Sequence, residues 1–112
     1  MKTPELSPRF SDKPGAQAAW RLFEVCRCAS GGTKPIAAFL TSMYNNCYAQ
    51  PDAYLLCRRI DDEHFDDVLT VMTWFREQET GFFDIHEIFG PTGATVMEDL
   101  MSRFGFWDAE PC

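Results

Sequence analysis

The chain is poor in the residues from which most recognisable active sites are built. Only two of its 112 residues are histidine, and neither stands in a His-x-x-x-His or Glu-x-x-His spacing, which would place two ligands or an acid/base pair on one helical face. Five cysteines are present, but none forms a C-x-x-C pair, so zinc-finger and thioredoxin-like spacings are missing. Gly31-Gly32-Thr33-Lys34 lacks the spacing and the preceding strand of a phosphate-binding P-loop, and reads as a plain helix stop followed by a helix start. No nucleophile has a base at a known spacing. The expectation is a protein that is not an enzyme and takes no metal and no cofactor.

Long apolar runs are also missing, which excludes a bilayer-spanning helix. The first eight residues, Met1 to Pro8, lack the apolar stretch of a secretory signal. A soluble, cytoplasmic protein is expected, with free thiols rather than a disulfide framework and with Cys47 and Cys57 as core thiols.

Basic residues are scarce in one half only. Residues 1–60 carry eight Lys/Arg and four Asp/Glu, a balance of +4, whereas residues 61–112 carry two and thirteen, a balance of −11. Such asymmetry creates a field that bears on partners and encounter rates.

With 46% hydrophobic residues and ten Phe, a chain of this length can bury roughly two-thirds of its unfolded surface around one core. Residues 1–15, punctuated by Pro4, Pro8, Pro14 and Gly15, read as a flexible arm, and residues 16–112 as a single helical domain. Apolar residues at three- and four-residue spacing predict a helix from Ala16 to Ser30. A second starts at Thr33 and Pro35 and ends near Asn45-Asn46; its second face, Ala38, Thr41, Ser42 and Asn45, is small and uncharged, which suits close helix approach. A third runs from Asp62 to Glu79 behind an acidic start that complements the helix dipole. On that helix His64, Phe65, Val68, Leu69, Val71, Met72 and Phe75 share the apolar arc, and Trp74 falls in the polar arc between Asp67 and Glu77. A short turn at Asp84 to Phe89 carries the Asp84/Glu87 spacing of a capping box. The last helix spans Gly93 to Phe104, with Gly105 after its end. The fold class is therefore all-α: four main helices plus one or two short ones. Trp20, Phe23, Phe39, Leu40, Phe65, Leu69, Met72, Phe75, Leu100 and Phe104 are the expected core.

Residues 52–75 and 84–107 align at an offset of 32 without a gap, Asp52 meeting Asp84 and Leu56 meeting Ile88. Either a duplicated unit or the general likeness of amphipathic helices accounts for this. Gly32-Thr33-Lys34 leading into Ile36-Ala37-Ala38-Phe39-Leu40, then Tyr44-Asn45, Ile60-Asp61 and Asp66-Asp67-Val68-Leu69, resembles a small domain of unknown function encoded on proteobacterial plasmids and integrative elements, over about residues 31–72. The family tends to have basic residues after the Gly-Thr turn, where this chain has only Lys34 before Pro35. The resemblance implies a bacterial, cytoplasmic, mobile-element setting and brings no assigned chemistry.

The function expected is that of an interaction protein whose acidic half docks on a basic surface of a protein partner, as inhibitors of host defence systems of the anti-restriction and anti-CRISPR kind do. Asp62, Asp66, Asp67, Thr70, Glu77, Glu98 and Asp99 would form the acidic surface and Trp74 its aromatic anchor. A homodimer contact and packing within the chain are the other roles open to Trp74. The alternative is a nucleic-acid-binding regulator that uses Lys34, Arg58 and Arg59 of the basic half.

Overall fold

A computed structural model describes residues 3–27, 32–77 and 84–106. Five α-helices follow one another: α1 (Pro14–Arg27), α2 (Lys34–Tyr44), α3 (Ala53–Arg58), α4 (Asp62–Glu77) and α5 (Gly93–Phe104), with a 3-10 segment, Ile85–Thr92, ahead of α5. No strand occurs among the described residues. The all-α bundle read from periodicity is the fold.

Local chemistry accounts for the helix boundaries. Pro35 sits in the first turn of α2, where its missing N–H costs nothing. The carbonyl of Thr33, not its hydroxyl, serves that turn, accepting from the Ala37 N–H at 2.9 Å. The Asp52 carboxylate accepts from the Leu55 N–H at 3.1 Å and starts α3. The Glu87 carboxylate reaches back to the Asp84 N–H at 2.8 Å, the arm of the capping box that starts the 3-10 segment. Gly105, left-handed at φ 78°, ends α5, with the Phe106 N–H bonded to the Met101 carbonyl at 2.8 Å in a Schellman pattern.

The helices pack in tiers, with α1 between α4 and α2. One face of α1 meets α4, and its other side meets α2 and the 3-10 segment, while α5 closes the far side against α2 and that segment. Phe23 of α1 meets Phe89 edge-on at 4.9 Å, and Ile36, Phe39, Leu40, Ile85, Ile88, Met97 and Met101 fill the space around them. Close approach between α1 and its neighbours is possible because it presents Gly15, Ala16, Ala18 and Ala19, all buried, instead of long side chains.

Three expectations fail here. The segment read as an arm is packed on the body from Thr3 onward: Trp20 Nε1 donates to the Pro4 carbonyl at 2.8 Å, the Ser7 N–H donates to the Ile88 carbonyl at 2.7 Å, and Phe10 is 4% exposed. Its prolines mark irregular backbone, which is not the same as absence of contact. Leu69 and Met72, expected in the core, are 46% and 51% exposed. The expected thiols differ as well. Cys47 is disulfide-bonded, its partner lying outside the described residues, and Cys57 is exposed, which leaves Cys26 as the buried free thiol among the described residues. A disulfide at Cys47 removes one ground on which a cytoplasmic setting was expected. Among the described residues no helix is long and apolar enough to cross a membrane.

Candidate functional site

The site that sequence patterning singles out lies on α4, and its geometry depends on how that helix is rotated. At about 100° per residue, the apolar residues of α4 cover an arc of roughly 220°, from Trp74 through Val71 and Val68 to Leu69. The bundle uses only part of this arc. Val71 and Val68 are buried, 0% and 1% exposed, and Trp74, Phe75 and His64 lie half-buried beside them. The helix is thus turned so that Trp74 and Asp67 face α1.

Two contacts hold this rotation. The Trp74 indole lies against Gly15, where a Cβ would run into the ring, and meets Phe10 at 6.1 Å and Phe75 at 5.7 Å. Two turns earlier on α4, Arg21 of α1 grips Asp67 with two bonds, Nε to Oδ2 at 3.1 Å and Nη2 to Oδ1 at 2.8 Å. The carboxylate raises the guanidinium's pKa further, mainly through these hydrogen bonds, against a smaller lowering by burial. Of the expected docking residues, Asp67 and Trp74 are therefore engaged inside the molecule. The edge of Trp74 that remains open lines, with Pro14, Thr70, Thr73 and Glu77, a groove of about 350 Å³.

The other acidic residues divide. Asp62, Asp66 and Glu77 are exposed and make no ion pair among the described residues. Thr70, also exposed, gives its hydroxyl to the Asp66 carbonyl at 2.9 Å. On α5, Glu98 is exposed, whereas Asp99 is shared between Arg103 at 3.1 Å and Arg27 at 3.5 Å. Glu98 and Asp99 stand on a helix that shares no extensive contact with α4.

The offset of 32 has a counterpart in architecture: Asp52 and Asp84 each precede a short helix, Leu56 and Ile88 are each buried, and a longer helix follows each time. The packing then differs, since Leu69 is exposed while its counterpart Met101 is buried.

The basic set is brought together at one end. Lys34, Arg58 and Arg59 are exposed, Arg58 lies over the Tyr54 ring at 5.8 Å, and the Arg59 backbone is beside Gly32 at the start of α2. A depression of about 140 Å³ there is lined by Thr33, Arg59, Asp61 and His64 among others. Asp61 places a negative charge within it, 3.9 Å from His64 Nε2. Among the described residues no three His, Cys, Asp or Glu side chains are grouped so as to hold a metal ion. Burial pushes the Cys26 thiol up to about 12, which makes it a poor nucleophile.

Sequence reasoning missed the role of Gly15. Read as part of a breaker pair with Pro14, it is a packing slot, and a small residue facing a Trp across two amphipathic helices was the signal available.

No curated protein and no solved structure matches the chain. A family model matches residues 16–105, from the second residue after the start of α1 to the glycine that ends α5. By that match the chain belongs to a family of unknown function, DUF7673.

Proposed function

We propose that the protein is a non-enzymatic interaction protein whose α4 acidic face docks on a basic surface of a protein partner. The observation that carries this reading is that Asp62, Asp66 and Glu77 stand exposed on one side of α4 with no ion pair among the described residues, while Asp67 and Asp99 are neutralised by arginines. Carboxylates left free in this way steer a positively charged partner and suppress wrong ones. The groove beside them, with the Trp74 edge in its wall, offers an apolar foothold next to Glu77. The resemblance to domains of proteobacterial plasmids and integrative elements supports a mobile-element setting, and inhibition of a host nucleic-acid-handling or defence machine is the concrete form such docking takes there.

Reversal of charge tests it. Asp62→Lys, Asp66→Lys and Glu77→Lys together abolish capture of the partner from a cell lysate, and Arg58→Ala with Arg59→Ala leave capture intact.

The second reading, nucleic-acid binding, is favoured by the clustering of Lys34, Arg58 and Arg59 with the exposed ring of Tyr54, because stacking platforms beside cations suit single strands. It predicts gel retardation of mixed-sequence DNA or RNA that fades with salt and is lost on removing both arginines.

A further inference from the structure

A seam on α4 lies between the face packed on α1 and the acidic face, which it borders at Asp62. Phe65, Leu69, Met72 and Arg76 recur at steps of four, three and four residues, the spacing of a coiled-coil a/d stripe, and they lie roughly 130° around the helix from Val71. Leu69 and Met72 are 46% and 51% exposed, and with Tyr54 they are the exposed large hydrophobic residues among those described. Among the described elements α4 makes extensive contact with α1 alone, on its other side.

We infer that this seam is a contact between two copies of the chain, α4 packing antiparallel on α4 about a twofold axis between Leu69 and Met72. The charges decide the occupant and its direction. About that axis Leu69 meets the partner's Met72, and Phe65 meets the partner's Arg76, whose guanidinium can stack on the ring and reach Asp62. Within one chain neither Arg76 nor Asp62 has an ion pair among the described residues, so each is free to pair across the axis. A parallel arrangement stacks Asp62 on Asp62 and Arg76 on Arg76, and a basic helix from another protein sets its cations against Arg76. Antiparallel pairing also opposes the helix dipoles favourably. The seam spans about 16 Å, a small interface, so association is reversible and concentration-dependent.

Sedimentation equilibrium on the full chain, its free thiols capped with N-ethylmaleimide, tests the inference from about 10 to about 500 µM, the range in which a small interface associates. The wild type moves from single-chain to doubled mass, and Leu69→Lys with Met72→Lys holds the single-chain mass throughout with an unchanged helical spectrum. Asp62→Arg and Arg76→Asp each weaken association about tenfold, and the two variants mixed in equal amounts regain it. A wild type that stays at single-chain mass, a dimer indifferent to the two lysines, or a mixture that recovers nothing overturns the inference. Asp62 belongs to the acidic face as well, so Arg76→Asp separates the two readings: it weakens association and leaves capture of the partner intact.

Discussion

The Trp74 indole occupies the space that a Cβ on Gly15 would need, so the contact that fixes the rotation of α4 is made between the smallest residue of the chain and one of its largest. The same ring meets Phe10 edge-on, which ties the N-terminal segment, α1 and α4 together at one point. Gly15→Ala is expected to cost about 1–3 kcal/mol, the usual penalty for overfilling a packed site. Trp74→Ala removes a half-buried indole and is expected to cost about 2–3 kcal/mol, at the lower end of the range for large aromatic truncations. Thermal unfolding of both variants, with no change in mass, checks this.

The Arg21–Asp67 pair is a positioning contact on the flank of that joint. Its two hydrogen bonds and the low exposure of the Asp67 side chain, 14%, set it above an ordinary surface pair, while the 53% exposure of Arg21 limits its worth. A double-mutant cycle of Arg21→Ala and Asp67→Ala is expected to give a coupling of about 1 kcal/mol. A coupling indistinguishable from zero would show that Gly15 and the valines hold α4 without it.

How far the sequence discloses this arrangement is clearest on α4. Its period and its acidic start define a helix, and Val68 and Val71 are core residues on any reading. Its apolar arc is wider than one packed face, however, so periodicity alone cannot say which edge turns inward. Placing Leu69 and Met72 inside and Trp74 outside follows from leaving Trp74 out of the arc and centring the remainder, Val71 to Leu69, on the bundle. The structure instead centres it near Val71, because α1 supplies a slot at Gly15 and a cation at Arg21. Those are tertiary facts carried by another helix. The exposure of Asp62, Asp66 and Glu77 was legible because they lie on the polar arc of the helix, away from every apolar residue. Arg21, which neutralises Asp67, and Arg27, which shares Asp99, lie far away in sequence; only Arg103, four residues after Asp99, was within reach of a local reading.

Cysteine chemistry gives a second independent check. Burial holds the Cys26 thiol protonated up to about 12, above its ordinary value of 9.0. Its contribution to stability is complete below about pH 9 and is lost as pH rises from there toward 12, since the unfolded chain ionises first. Cys26→Ala is therefore expected to show a shallower alkaline decline in stability than the wild type. In mapped alkylation at neutral pH, exposed Cys57 reacts and Cys26 reacts only on unfolding.

The disulfide at Cys47 predicts a redox-dependent stability. Cys47→Ser is expected to lose about 2–4 kcal/mol under oxidising conditions, and that deficit disappears when the wild type is measured in reductant. Equal stability of the two proteins without reductant would show that the bond holds nothing together.

Charge reversal on the outer face should leave the fold alone. Asp62→Lys, Asp66→Lys and Glu77→Lys replace exposed carboxylates with no intramolecular ion pair among the described residues, so each is expected to change stability by no more than about 0.5 kcal/mol by chemical denaturation.

The most direct measurement of the central claim is carboxylate footprinting: carbodiimide labelling, mapped residue by residue, of the protein alone and in complex with the captured partner. In the free protein Asp62, Asp66 and Glu77 label quickly while Asp67, held by Arg21, labels slowly. In the complex those three carboxylates become protected while Asp67 is unchanged. Equal labelling of Asp62, Asp66 and Glu77 in the free and bound protein would contradict the claim.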